Sequence, residues 1–290
     1  MGAEEGGNSM DNAQPVALVT GASSGFGLLT SVALARAGYR TVATMRNPDK
    51  SDALQEHAER SGVQELIDIM PLDVTDHEAI GQTVGSIVKT YGRIDVLVNN
   101  AGFAVGGYVE DVPMAQWRQQ LETNVFGMIA ATKAVLPHMR ERRSGCIVNV
   151  SSVSGRSGFP GYAPYSTSKF AVEGFSESLR LEMKPFGVNV VLIEPGAYKT
   201  DIWQKGFDSM CSSEASPYRP LLEKVLRYSK QAAATAPDAA EVAETIVRVV
   251  RSKRPKLRYP LGRGAKLALR SKALLPWRWY ESIVLRLLNK

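Results

Sequence analysis

Tyr165 and Lys169 lie four residues apart, and Ser152 precedes the tyrosine by thirteen positions. On an α-helix the side chains at i and i+4 share a face, so the phenol and the ammonium can point into one pocket. A phenol with a pKa near 10 is a poor acid or base at neutral pH, and a fixed cation beside it lowers that pKa. The three side chains therefore predict proton transfer to or from a substrate oxygen. On a solvent-exposed helix face the same spacing would carry no function.

A glycine-rich segment, Thr-Gly-Ala-Ser-Ser-Gly-Phe-Gly, occupies residues 20–27, directly after a short apolar run. Glycines let the backbone turn sharply and approach a pyrophosphate, and the first turn of a following helix offers N–H groups. The candidate nucleotide-binding residues of this segment are Gly21, Ser23, Ser24, Gly25, Phe26 and Gly27. Residues 21–25 also match the G-x-S-x-G of a hydrolase nucleophile elbow. That alternative requires a histidine late in the chain, and the last one is His138.

Arg46 follows the second predicted strand, nineteen residues beyond Gly27. A site for NAD commonly has an acidic residue about 20 residues after the glycines to bind the ribose hydroxyls, whereas an arginine suits a 2′-phosphate. The first acidic residue after this strand is Asp49. The pattern favours NADP(H) over NAD(H), with Ser23 and Ser24 as further phosphate contacts. The alternative is a surface arginine without that role.

Short apolar runs rich in β-branched residues alternate with stretches of helical pattern along the chain. The predicted strands cover residues 16–20, 41–44, 66–70, 95–98, 147–150 and 188–193. Apolar strands separated by helices indicate a parallel sheet covered on both faces, which is a doubly wound α/β domain of the Rossmann type. Ligands of such sheets bind beyond the carboxyl ends of the strands, where the motifs above fall.

The chain has 290 residues, of which 44% are hydrophobic and 22% charged, as in ordinary globular proteins. We expect a flexible leader over residues 1–13 and one nucleotide-binding domain over residues 14–250. Two cysteines without a Cys-x-x-Cys motif and three scattered histidines predict no metal site. No apolar run is long enough for a membrane span. The cysteine usage favours a cytoplasmic protein.

Residues 251–290 carry the positive charge of the chain. They hold twelve Lys or Arg and one acid, Glu281, whereas residues 1–250 hold 23 basic and 28 acidic side chains. Trp277, Trp279 and many leucines alternate with these basic residues, a pattern typical of a helix on an anionic membrane surface. A helix that packs between subunits and a flap over a substrate cleft are the alternatives. Nucleic acid is not expected as a partner, because no recognition motif accompanies the charge.

Together these motifs resemble the short-chain dehydrogenase/reductases, and the likeness runs from about residue 16 to residue 200. Residues 43–46 and 168–174 are similar to the branch of 17β-hydroxysteroid and retinol dehydrogenases. The other matching pieces are Asp73-Val74, Asn99-Asn100-Ala101-Gly102, Asn124, Ser151-Ser152, and Pro195-Gly196 followed by Thr200.

The resemblance implies a nicotinamide-dependent oxidoreductase acting on an alcohol or carbonyl group. Ser152 and Tyr165 would donate hydrogen bonds to the reacting oxygen, and Tyr165 would transfer the proton, with Ser151 as the alternative serine. Lys169 would bind the nicotinamide ribose, and Asn124 would sustain a water relay to it or only bend its helix. The other implied cofactor contacts are Asp73 and Val74 at the adenine, Asn100, Ala101 and Gly102 at its ribose, and Pro195, Gly196 and Thr200 at the nicotinamide.

The resemblance also implies a substrate lid at about residues 197–235, a segment able to change its backbone angles on closure. Aromatic and aliphatic residues in this segment favour an apolar small-molecule substrate, such as a steroid, a retinoid or another lipid. A homodimer or homotetramer is implied as well. The alternative function is a catalytically inactive nucleotide-sensing protein of the same fold, although such proteins commonly lack the Tyr/Lys pair. Sugar epimerases share the pair but carry a different glycine spacing.

Overall fold

The computed structural model of the protein describes residues 14–288. The leader expected at residues 1–13 lies outside the described residues. The strands in chain order are β1 (Val16–Thr20), β2 (Arg40–Met45), β3 (Ile67–Pro71), β4 (Val96–Asn99), β5 (Gly145–Val150), β6 (Val188–Pro195) and β7 (Arg258–Leu261). The α-helices are α1 (Gly25–Arg36), α2 (Asp52–Arg60), α3 (His77–Tyr91), α4 (Met114–Leu121), α5 (Gly127–Glu141), α6 (Ala163–Met183), α7 (Ile202–Asp208), α8 (Arg219–Ala234), α9 (Ala240–Val250), α10 (Ala265–Leu274) and α11 (Trp277–Leu288).

All strand pairs of the sheet are parallel, and the strand order is β3-β2-β1-β4-β5-β6-β7. Successive strand residues face opposite sides, so Val19 belongs to the apolar core under α1 and α9, and Leu18 to the core under α3 and α5. The doubly wound α/β fold predicted from the sequence is confirmed. Because the order reverses between β1 and β4, a crevice opens there at the carboxyl ends of the strands.

Strand β7 was not among the predicted strands. It pairs with the end of β6, and Leu192 lies opposite Arg258. Its sequence, Arg-Tyr-Pro-Leu, contains no apolar run. The strand lies at the edge of the sheet and is only partly buried, so its side chains need not all be apolar. The sheet therefore extends past residue 250. Residues beyond β7 continue into α10 and α11, and within residues 14–288 no helix is long and apolar enough to cross a bilayer.

Candidate active site

The glycine loop joins β1 to α1 and is fixed in place by the end of β4. Thr20 Oγ1 accepts hydrogen bonds from the backbone N–H groups of Asn100 at 3.0 Å and Ala101 at 3.1 Å. The Asn100 side-chain amide donates to the Gly21 carbonyl at 2.9 Å. A Cβ atom at Gly27 would lie 2.2 Å from the Gly21 oxygen, so α1 approaches the loop too closely for any other residue. Asn100 therefore shapes the loop from the neighbouring strand.

The loop forms one wall of a cleft of about 790 Å³ at the carboxyl edge of the sheet. Most of the predicted cofactor residues line this cleft: Gly21, Ser23, Ser24, Gly25, Phe26, Arg46, Asp73, Val74, Asn100, Ala101, Gly102, Tyr165, Lys169 and Thr200. Gly27, Pro195 and Gly196 are not among its lining residues. The topology thus gathers segments from the ends of six strands, β1 to β6, at one site.

The cleft has the donors and the shape that a dinucleotide needs. The Ser24 side chain makes no capping hydrogen bond to α1 in the described residues, so N–H groups of the first helical turn are available to an anion. Arg46 is exposed at the cleft and forms no ion pair within residues 14–288. Asp73 Oδ1 accepts from the Thr75 backbone at 2.9 Å, which fixes the turn after β3. These residues fit a nicotinamide dinucleotide.

Helix α6 and the end of β5 bring the three proton-transfer candidates together. Lys169 Nζ lies 5.7 Å from the centre of the Tyr165 ring and donates to the Val150 carbonyl at 2.8 Å. The Ser152 hydroxyl lowers the pKa of the Tyr165 phenol. Ser152 and Lys169 are buried, and Tyr165 is partly buried. The spacing that the sequence singled out therefore produces one constellation.

The electrostatics of the pair differ from the sequence expectation. Burial raises the pKa of Tyr165, and the hydrogen bond with Ser152 offsets part of that increase. Burial also lowers the pKa of Lys169 from 10.5 to about 8, while Glu173, one turn later on α6, acts in the opposite direction. The sequence predicted a phenol acidified by its cationic neighbour; in the structure, burial of the phenol raises its pKa instead.

The two adjacent serines have different surroundings. Ser152 Oγ accepts from the Ser154 backbone at 3.1 Å and donates to the Pro195 carbonyl at 3.4 Å. Ser151 lines the cleft, and its buried hydroxyl has no hydrogen-bond partner in the described part of the chain. Ser152 is not among the residues that line the cleft, but its hydroxyl lowers the pKa of the Tyr165 phenol, so both serines stay candidates for holding a substrate oxygen.

Asn124 is buried in a π-helical turn, Glu122–Phe126, between α4 and α5. Its amide nitrogen donates to the Phe103 carbonyl at 3.0 Å and to Ser168 Oγ at 3.1 Å, and its oxygen accepts from the Phe103 N–H at 3.1 Å. The side chain thereby joins the loop after β4 to the residue before Lys169. This is a positioning contact, and the water relay stays a prediction.

A buried ionic cluster behind the trio was not predicted. Glu194 in β6 is 0% exposed, and its carboxylate lies 3.0 Å from Arg258 Nε and 3.5 Å from an Arg156 nitrogen. Arg258 also contacts Glu173 at 2.9 Å. Burial, together with repulsion from Glu173, raises the pKa of Glu194 to about 7. The only sequence signal was a carboxylate inside an apolar strand, and its arginine partner is 64 residues away.

The segment expected to form a lid packs on the loop that follows β4. The Cys211 N–H donates to the Gly106 carbonyl at 2.9 Å, and the rings of Tyr108 and Tyr218 stack with centres 4.9 Å apart. Ser216 Oγ donates to Asp111 at 2.7 Å. These contacts hold the segment against that loop.

Comparisons with known proteins agree with this architecture. The family model described as short chain dehydrogenase matches residues 15–210. The uncharacterized oxidoreductase YusZ of Bacillus subtilis strain 168 is 49% identical over 272 residues, covering 93% of this chain and 96% of that protein. Retinol dehydrogenase 8 of Bos taurus is 37% identical over 260 residues, or 86% and 82% of the two chains. The 17-beta-hydroxysteroid dehydrogenase type 1 of Mus musculus is 36% identical over 251 residues, covering 84% of this chain and 72% of that protein.

Solved structures give the same result. A short-chain dehydrogenase from Streptomyces avermitilis matches with a TM-score of 0.78 and 34% identity, covering 91% of this chain and 93% of that one. ElxO with NADP bound matches with a TM-score of 0.73 and 28% identity, covering 88% and 99%. The resemblance stated from the motifs, including the likeness to retinol and 17β-hydroxysteroid dehydrogenases, is confirmed, as is the class of nicotinamide-dependent oxidoreductase. The chain belongs to the short-chain dehydrogenase/reductase family.

Proposed function

We propose that the protein is an NADP(H)-dependent oxidoreductase that transfers hydride between the nicotinamide and an alcohol or carbonyl group of an apolar small molecule. The observation that carries this proposal is the convergence of Tyr165 and Lys169 at the cleft that begins with the glycine loop, with the Ser152 hydroxyl acting on the pKa of the Tyr165 phenol. A nucleotide-sensing protein has no need of a phenol beside a buried ammonium.

The chain itself supplies binding, orientation and the proton. When bound, the nicotinamide supplies or accepts the hydride at its ring. Ser152 and Tyr165 donate hydrogen bonds to the substrate oxygen, where charge develops. The raised pKa of Tyr165 keeps the phenol protonated at neutral pH, so it donates a proton directly during carbonyl reduction. Oxidation of an alcohol needs the phenolate, so we expect it to be favoured at higher pH.

Arg46 supports the preference for NADP(H). It lies at the end of β2, exposed to the cleft and without an ion pair in the described residues, as a 2′-phosphate ligand would. ElxO, whose solved structure contains NADP, has the same fold. Replacing Arg46 with alanine removes a charge-assisted hydrogen bond and is expected to lower kcat/KM for NADPH about 30-fold, with little change for NADH. Lys50→Ala, a change of a nearby exposed cation, is the control; equal losses with both nucleotides would contradict the preference.

The substrate side of the cleft supports an apolar ligand. Phe103, Ala104 and Ile202 line it where the lid segment meets the loop after β4. Two of the relatives are named for retinol and for a 17-beta-hydroxysteroid, both of which are apolar alcohols.

Tyr165→Phe tests the proposed reaction. The variant keeps the ring that lies 5.7 Å from Lys169 but loses the proton donor, so turnover should fall by about 10²- to 10⁴-fold while NADPH binding is retained. The assay is NADPH oxidation with ketosteroid, retinoid and simple aromatic carbonyl compounds. Tyr162→Phe is the matched control, because that hydroxyl bonds Ser229 on α8 at 3.1 Å. Unchanged turnover in Tyr165→Phe would refute the role of the phenol, and NADPH binding without turnover of any carbonyl would favour the sensing function.

The assembly implied by the resemblance, a homodimer or homotetramer, is part of the proposal. Met114, Phe126 and Leu181 are exposed large apolar side chains on or beside α4, α5 and α6. Contact between copies would cover such residues. Light scattering after gel filtration measures the number of subunits directly.

A further inference from the structure

The C-terminal segment, residues 251–288, packs against the substrate side of the molecule. The Tyr280 hydroxyl hydrogen-bonds Ser157, and the Lys272 ammonium donates to the Arg156 carbonyl. Both contacts fall on the loop between Ser152 and Tyr165. Helix α11 also packs on α8 of the lid segment. Whatever binds this segment is therefore held against the loop that links Ser152 to Tyr165 and against α8.

A second cavity, of about 620 Å³, lies between β7 and α10. None of its described lining residues is an Asp or Glu, and six are basic: Arg156, Arg248, Lys256, Arg258, Lys266 and Arg270. Arg258 is paired with the carboxylates of Glu173, Glu177 and Glu194, and Arg156 with that of Glu194. The other four form no ion pair within residues 14–288. The cavity thus presents uncompensated positive charge, which attracts an anion.

The same segment also carries exposed apolar side chains. Leu274 of α10 is 82% exposed, and Leu267 precedes it by two helical turns on the same face. On α11, Trp279 is 65% exposed, and Ile283 and Leu287 follow it at intervals of four residues, so the three form one exposed stripe. A soluble monomer rarely exposes so many large apolar groups within one short segment.

The charged and apolar features lie next to each other. At 100° per residue, Leu267 and Leu274 of α10 lie about 50° around the helix from Arg270 and about 90° from Lys266, both of which line the cavity. Basic side chains beside interfacial tryptophans and leucines match a membrane surface with anionic headgroups. A soluble anion would need only the cavity, and a second copy of this chain would bring a surface of the same positive charge.

We propose that residues 251–288 form a docking surface for anionic membranes, in which the cavity binds the phosphate of a lipid headgroup. The apolar side chains of α10 and α11 enter the interfacial layer. The segment contains eleven Lys or Arg and one acid, Glu281. Docking places the lid segment at the lipid boundary, where an apolar substrate is dissolved. The inference does not depend on the proposed reaction, because its test measures binding alone.

Co-sedimentation of the full chain with vesicles tests the surface. Vesicles of phosphatidylcholine containing phosphatidylglycerol should bind the protein, and vesicles of phosphatidylcholine alone should bind it weakly. The triple variant Lys256→Gln, Lys266→Gln and Arg270→Gln should lose on the order of 100-fold in apparent affinity, which corresponds to about 1 kcal/mol for each removed charge. Trp279→Ser with Ile283→Ser should weaken binding while the preference for anionic vesicles is retained.

The control variant removes the same number and type of exposed charges elsewhere, at Lys89, Arg140 and Lys184, and should bind like the unmodified chain. Equal losses in the two triple variants would overturn the proposal, as would displacement from vesicles by millimolar inorganic phosphate, which would assign the cavity to a soluble anion. If the cavity variant changes the number of subunits but not vesicle binding, the surface is an interface between copies. Should that variant fail to fold, the salt dependence of the unmodified chain decides: binding that does not weaken with added NaCl refutes the electrostatic contact.

Discussion

Lys169→Met is expected to make the protein more stable and inactive at the same time. Lys169 is only 7% exposed, and burial lowers the pKa of its ammonium from 10.5 to about 8. At 1.36 kcal/mol for each pKa unit, keeping this charge in the folded state at pH 7 costs about 3 kcal/mol. Methionine removes that cost. It also leaves the Val150 carbonyl without its donor at 2.8 Å, and this loss lowers the stability by about 1 kcal/mol. The net expectation without nucleotide is a gain of about 2 kcal/mol at pH 7.

The stability gained by Lys169→Met should shrink as the pH rises. Between pH 8 and 10.5 the unfolded chain holds the lysine proton and the folded chain releases it, so the stability of the unmodified protein rises with pH relative to the variant. The advantage of Lys169→Met is therefore complete below about pH 8 and shrinks as pH increases toward 10.5. Above that range the variant should be the less stable protein by about 1 kcal/mol, because only the lost hydrogen bond remains.

Urea unfolding of both proteins at pH 7 and pH 9.5, without nucleotide, measures the two free energies of unfolding. Lys133→Met, a change of an exposed lysine on α5, is the control and should alter stability little at either pH. NADPH should stabilise the unmodified protein and the control but not Lys169→Met, whose carbonyl reduction should also be lost. A variant that is less stable at pH 7, or a difference that stays the same at both pH values, would refute the reasoning.

Two other substitutions test the scaffold. Gly27→Ala places a methyl group 2.2 Å from the Gly21 oxygen, so NADPH affinity in a nicotinamide-fluorescence titration should fall at least about tenfold. Gly174→Ala on α6 meets no atom within 4 Å and should bind NADPH normally. Arg258→Met leaves Glu194 buried without its arginine 3.0 Å away, so the free energy of unfolding at pH 7 should drop by about 3–5 kcal/mol. Because the pKa of Glu194 is already raised to about 7, urea unfolding should show a smaller loss at pH 5, where the carboxyl is protonated.

The cleft could be predicted from sequence because each of its parts has a local signature. Buried parallel strands are continuous apolar runs, and their carboxyl ends meet at one edge whatever the details of the helices. Gly21, Arg46 and Asp73 each follow such a run, so their convergence at one cleft followed from the topology. Tyr165 and Lys169 converge for a simpler reason, since four residues make about one helical turn.

Features set by long-range packing were not predictable in the same way. Strand β7 contains a proline and an arginine, and its assignment depends on pairing with β6 across more than 60 residues of chain. The pKa direction of Tyr165 was predicted wrongly, because the sequence shows a charged neighbour but not the loss of solvent around the phenol. Asn124 was read as a relay or a helix-bending residue, and its bonds to Phe103 and Ser168 became visible only in the structure.

Strand β7 carries an arginine that contacts the acidic neighbour of Lys169. Glu173 lies one helical turn after Lys169 and raises the pKa of that ammonium against the effect of burial. Arg258 in β7 lies 2.9 Å from the same carboxylate, so part of the negative charge of Glu173 is balanced by the arginine instead of by the lysine. A stronger contact between Arg258 and Glu173 lowers the pKa of Lys169, and a weaker one raises it. We therefore expect the charge of Lys169 to respond to Arg258, a sheet-edge residue that no active-site motif contains.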